Sequence, residues 1–166
     1  MTATASSPLP AGELQIRVAQ PADVDALVAL INAAFVVERI AIEGDRVDAG
    51  KVRAYMDRGQ FLLLEALSLL GCAYVELRGD HGYLGLLSVE PALQMRGLGR
   101  RLMAAAEQYF HEAGCIAVDL RIISARPELL RFYTKLGFRE TGISPMPADA
   151  PLKMACHFIH LSKPLR

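Results

Sequence analysis

The sequence predicts a single α/β domain built on a mixed, mostly antiparallel sheet of about seven strands with four flanking helices. Three observations predict it. Stretches of strand-like and helix-like periodicity alternate in the order strand, helix, helix, three strands, helix, strand, helix, two strands. The 166 residues make one domain's worth of chain, enough to bury a sizeable core. Apolar residues make up 52% and charged residues 22%, with no uncharged apolar run long enough to cross a bilayer, so no membrane association is predicted.

Each element has its own local warrant. The opening MTATASSPLPAG reads as a loose head over residues 1–12, lacking the basic and apolar blocks of a secretory signal, and residues 13–166 form the domain. LQIRVA, from Leu14, is a short strand, and PADVDALVALINAAF is a helix with Pro21 at its first position and Asp23 in its first turn. A polar stretch follows, with a turn at Gly44 and Asp45 and a short helix from Asp48 to Arg58. QFLLLEA, LSLLGCAYVEL and GYLGLLSV are three strand-like runs separated by turn residues, including RGDHG at 78–82, and read as an antiparallel meander. From Gly97 a helix places Leu98, Leu102, Ala105, Ala106 and Tyr109 on one apolar face and ends at Gly114. CIAVDLRII is a strand, and RPELLRFYTKLG is a helix with Pro127 at N1 and Gly137 beyond its end. FRETGI, a Pro-rich loop SPMPADAP and a last strand in KMACHFIHLSK close the chain.

Charge and cysteine usage narrow the partners. Lys plus Arg equals Asp plus Glu at 18 each, so no global field draws the chain to nucleic acid or anionic membrane, and any anion binding is local. Cys72, Cys115 and Cys156 occur singly without CxxC spacing, which predicts neither a disulfide framework nor a zinc site and makes a reducing cytoplasm the default. His157 and His160 differ by three in a strand, so they point to opposite faces and predict no metal pair.

The helix that starts at QMRGLGRRL breaks local rules. Gly97 and Gly99 each cost about 1 kcal/mol relative to alanine in a helical turn. No Ser, Thr, Asp or Asn stands ready as an N-cap, and Arg96, Arg100 and Arg101 crowd the positive end of the helix dipole. Violations of this kind are expected at functional sites. Glycines admit a ligand close to the backbone, first-turn N–H groups attract anions, and three arginines suit a multiply charged one such as a pyrophosphate. The segment is neither a GxxxxGK[ST] loop nor a dinucleotide fingerprint, because Leu102 stands where the third glycine would be.

LSVEPALQMRGLGRRLM resembles motif A of the GNAT superfamily of acyl-CoA-dependent N-acyltransferases, with Gln94, Gly97 and Gly99 at the motif positions. ELLRFYTKLGF resembles the family's motif B at the right distance downstream. The resemblance implies a GNAT-like fold and acetyl-CoA as co-substrate, with the acetyl group passing to a primary amine by direct attack. It implies that backbone groups at Met95, Arg96, Gly97, Leu98, Gly99 and Arg100, with Gln94, hold the pyrophosphate of coenzyme A. Leu87, Ser88 and Val89 would pair with the pantetheine arm on a strand splayed by a bulge. Tyr133, at the family's tyrosine position, would lie near the thioester sulfur and give the leaving thiolate its proton, while a strand N–H stabilises the oxyanion. Many members carry Asn seven residues before that tyrosine; here Arg126 stands there, unable to accept from pantetheine amides, and either reaches a phosphate of the cofactor or faces water.

The general base is open among Glu38, Glu65, Glu76, His81 and Asp119. Glu38 leads, as base or anchor of the amine, because it sits in the polar segment between the first two helices, which in this fold usually lines the acceptor pocket. GDRVD at 44–48 reads as a plain turn, whose Asp45 and Arg46 would contact an acceptor of opposite charge if the turn faced it. The acceptor is a small-molecule or peptide amine, and a homodimer is compatible with the resemblance. A non-catalytic acyl-CoA-binding regulatory module is the competing function.

Overall fold

A computed structural model of the chain describes residues 8–9 and 11–166; residues 1–7 and 10, most of the expected head, lie outside them. Among the described residues the chain forms β1 (Gln15–Val18), α1 (Val24–Ala34), α2 (Ala49–Arg58), β2 (Gln60–Glu65), β3 (Leu69–Arg78), β4 (His81–Val89), α3 (Leu98–Glu112), β5 (Ala117–Ile123), α4 (Pro127–Lys135), β6 (Arg139–Pro145) and β7 (His157–Pro164). The seven strands form one sheet in the order β1-β2-β3-β4-β5-β7-β6, antiparallel except for the β4–β5 pair. The expected element order, strand count and mixed direction all hold.

Alternation along the strands divides the core between two faces. In β2, Leu62 and Leu64 join a cluster with Leu102, Ala106 and Phe110 of α3 and with Tyr133 of α4. Phe61 and Leu63 join the opposite cluster with Leu27 and Ile31 of α1 and Val52 of α2. Burial on both faces is why this strand reads as an unbroken apolar run instead of an alternating one. Asp48 caps α2 by accepting from the Lys51 N–H at 2.8 Å. Both α3 and α4 end in a left-handed glycine: Gly114 (φ 82°) and Gly137 (φ 98°).

Two features position the site. First, a β-bulge interrupts the β3–β4 ladder: Cys72 pairs with Ser88 and Tyr74 with Gly85, so Ala73 faces two residues, Leu86 and Leu87. Leu86 takes a positive φ of 49°. The bend turns β4 away from β5, and their parallel pairing is confined to His81–Tyr83 against Ala117–Asp119. Second, the last strand begins at His157, later than its apolar sequence suggests. The preceding segment is claimed elsewhere: the Lys153 N–H donates to Ala41 O (2.8 Å), the Glu43 N–H donates to Pro151 O (3.0 Å), and Ile42 bridges Leu152. The loop between β6 and β7 is thereby clasped to the segment between α1 and α2.

Candidate active site

Where β4 and β5 part, a cavity of about 1120 Å³ opens, lined by Tyr83–Leu87 and Val89 on one side and Leu120–Ile123 on the other. From Leu84 onward β4 has no strand partner on its β5 side, leaving backbone N–H and C=O groups free for an extended ligand. Leu87 and Val89 line the cavity; the Ser88 side chain is buried away from it, its hydroxyl donating to Leu86 O at 2.8 Å.

The start of α3 forms one end of the cavity. Gly97 is the N-cap, held at φ 79°, and Met95 just before it is also left-handed at φ 65°. The first bond into the helix runs from the Arg101 N–H to Gly97 O (3.2 Å), so the N–H groups of Leu98, Gly99 and Arg100 have no helical acceptor. A Cβ at Gly97 would meet nothing within 4 Å, and one at Gly99 only Val89 Cγ2 at 4.0 Å. The glycines thus leave a cradle over unpaired donors. The Gln94 amide donates to Val89 O (3.2 Å) and fixes the connecting loop, while Arg96 buries its Nη2 with no partner among the described residues. Arg96 does not line the cavity, whereas Gln94, Met95 and Gly97–Arg100 do, and their cradle of free N–H groups fits the pyrophosphate of coenzyme A.

Tyr133, Arg126 and Glu38 line the same cavity. The turn that ends α4 fixes Tyr133: the Gly137 N–H donates to Thr134 O and the Phe138 N–H to Tyr133 O, both at 3.1 Å, and the Phe138 ring packs edge-on against Tyr133 with centroids 5.6 Å apart. Burial raises the Tyr133 phenol well above its ordinary value, against a smaller pull downward from the Arg126 charge. Glu38 sits on a short 3₁₀ turn, Val36–Ile40, only 7% exposed. Burial raises its carboxyl too, opposed by the charges of Arg46 and then Arg126. Arg126 Nη1 lies 3.6 Å from Glu38 Oε1, and its Nε donates to Glu128 at 2.9 Å. Arg126 is therefore mostly shielded from water, and its charge acts on both the Glu38 carboxylate and the Tyr133 phenol.

The remaining candidate bases are committed elsewhere. Glu65 pairs with Arg17 (2.8 Å), Glu76 accepts from Tyr74 (2.6 Å) and Arg78 (2.9 Å), and His81 bonds Asp119 (2.7 Å), which also accepts from Ser162 (2.6 Å). None of them lines the cavity. His160 bonds Ser144 across β6 and β7 at 2.7 Å. Arg121, Phe158 and the roof made by the clasped loops do line it. Sequence reasoning missed these three; the Pro-rich composition of 144–151 signalled a loop but not what it would cover.

Residues 38–147 match the family model described as an acetyltransferase (GNAT) domain. The chain is 29% identical over 146 residues, 83% of its length, to a mycothiol acetyltransferase of Propionibacterium freudenreichii subsp. shermanii. Over 78 residues, 44% of the chain, it is 36% identical to a protein of Oryza sativa subsp. japonica named "Probable glucosamine 6-phosphate N-acetyltransferase 2". The chain spans about half the length of these relatives, 46% and 45%. Among solved structures it resembles the ribosomal-protein-S18-alanine N-acetyltransferase of Escherichia coli (TM-score 0.73, 18% identity, 92% of this chain and 94% of that one). It also resembles yncA of Salmonella typhimurium, solved with its cofactor acetyl-CoA (TM-score 0.70, 24% identity, 93% and 95%).

Proposed function

The chain belongs to the GNAT acetyltransferase family, and on that premise we propose that it moves an acetyl group from acetyl-CoA to a primary amine by direct attack. One observation carries the reading. A single cavity joins an anion cradle at the start of α3, a free strand edge on β4, and a buried carboxylate and phenol.

Acetyl-CoA supplies the acyl group as an activated thioester. The N–H groups at the start of α3 bind its pyrophosphate, and the unpaired β4 edge binds the pantetheine arm as an added strand. A backbone N–H near the bulge hydrogen-bonds the carbonyl oxygen as negative charge develops there. Glu38, in its ionised form, takes the proton of the incoming amine or holds the ammonium beforehand. Tyr133 donates to the departing sulfur; with its phenol raised by burial, it works chiefly by hydrogen-bond donation, since full transfer to a thiolate would run uphill. Arg126 limits the rise of Glu38 and takes the place of the family's Asn as a positioning residue; in this reading it lies at the acyl end of the cavity, away from the phosphates.

The relatives named for mycothiol and glucosamine 6-phosphate support an amine acceptor. We place the activity in the cytoplasm, in keeping with three free cysteines; no helix among the described residues is long and apolar enough to cross a membrane. The test is thiol release from acetyl-CoA across a panel of amines, with the acetylated product identified by mass spectrometry. Amine-dependent release is expected. Coenzyme A binding with no transfer to any amine would leave a non-catalytic acyl-CoA-binding module in its place.

A further inference from the structure

Two of the arginines that line the cavity lie over aromatic rings and make no ion pair among the described residues. Arg46 lies with its Cζ 5.6 Å from the centroid of the Phe35 ring, and Arg121 with its Cζ 4.1 Å from that of Phe158. Both line the cavity. Their neighbours are engaged: Arg39 pairs with Asp45 at 2.7 Å, and Arg126 with Glu128 at 2.9 Å and Glu38 at 3.6 Å. Among the described residues neither Arg46 nor Arg121 makes an ion pair. A guanidinium held over an aromatic ring keeps its N–H fork for another ligand, and that fork matches a carboxylate or phosphate. Arg46 is also the cation that acts most strongly on Glu38, so an anion site adjoins the carboxylate assigned to the amine.

The roof limits the size of what enters. Ile42, Glu43, Ala150 and Pro151 line the cavity, and the two backbone hydrogen bonds that form the Ile42–Leu152 bridge join them into one continuous cover. An extended peptide could cross here only by parting those bonds. We infer that the acceptor is a small molecule bearing an anionic group beside its primary amine, with the anion held by Arg46 and Arg121 and the amine turned to Glu38. The inference rests on the acetyl-transfer reading of the cavity and names its substrate class.

Calorimetry on the coenzyme A-saturated protein tests it with matched probes in two arms. The carboxylate arm sets glycine, L-alanine, L-methionine and L-phenylalanine against their amides; the phosphate arm sets glucosamine 6-phosphate against glucosamine. In one arm the anionic member should bind about tenfold or more tightly than its neutral partner. Arg46→Gln and Arg121→Gln should each erase most of that preference while leaving coenzyme A affinity unchanged, which also shows that the variants are folded. Neutral partners binding as well as anionic ones, no binding in either arm, or a preference that survives both substitutions would overturn the inference. Transfer assays on the same proteins separate the two readings. An anion preference without acetyl transfer sinks the transferase and keeps the anion site, whereas transfer indifferent to acceptor charge does the reverse.

Discussion

Glu38 and Tyr133 are both shifted upward by burial, with opposite consequences. For Glu38 the shift disfavours the ionised form that the proposed role needs. Below the ordinary carboxyl value of about 4.3 the folded and unfolded chains both hold the proton and there is no penalty. As pH rises through the raised folded value, the unfolded chain has already released its proton, so stability is lost. Glu38→Gln should therefore raise Tm relative to the parent at pH 7, with the gap closing toward pH 4, while flattening the acidic limb of kcat/KM and sparing coenzyme A affinity. Wild-type kinetics at every pH would remove Glu38 from the mechanism. Arg126→Gln takes away a charge that favours the carboxylate, so it should move the same limb to higher pH. Tyr133 keeps its proton across the working range. Tyr133→Phe should then lower kcat by about 10²-fold, uniformly between pH 6 and 9 and with little change in Tm; unchanged turnover would rule the phenol out.

Helix ends set the two half-sites. At the end of α4, left-handed Gly137 lets the Phe138 N–H reach Tyr133 O, so the family's glycine–phenylalanine pair anchors the tyrosine it follows. An alanine there must adopt φ near 98°, where its Cβ would also lie 3.4 Å from Lys163 Cε. Gly137→Ala should cost about 1–2 kcal/mol in urea unfolding and lower kcat with it. At the start of α3, Gly99 has room for a Cβ but faces the proposed phosphate site. Gly99→Glu places negative charge in the cradle and should abolish stabilisation by coenzyme A while leaving the unliganded Tm close to the parent's. Equal stabilisation of mutant and parent would put the pyrophosphate elsewhere.

The whole molecule is a sheet divided along part of one seam. β4 and β5 pair over three residues each and then diverge, so a ligand lying along the free edges restores hydrogen bonding that the fold leaves open. Coenzyme A at a hundred times its Kd should stabilise the protein by about 2.7 kcal/mol. For a chain of this size that is a rise in Tm of roughly 5–11 °C. Amide hydrogen exchange should slow along 84–89 of β4 as well as at the start of α3. Protection confined to α3 would argue against strand-like binding of the pantetheine arm.

By itself the sequence determined the elements, because period, caps and turns are local. The run FLLL marked a strand, Pro21 and Pro127 marked helix starts, and Gly114 and Gly137 marked helix ends. The glycines and arginines around Gly97 marked a candidate site for the same reason, since their cost in a helix can be judged from neighbours alone. Tertiary structure decided what lay far apart in the chain. It brought Arg126 within 3.6 Å of Glu38, where the sequence allowed only a phosphate or water as its partner. It gave the backbone of 151–153 to 41–43, which delayed the last strand and roofed the cavity. It also left Arg46 and Arg121 over aromatic rings with no ion pair among the described residues. Those partners are set by the order in which strands join the sheet and by where β4 bends away from β5, and no local pattern of residues encodes a distance between segments that meet only after the chain has folded.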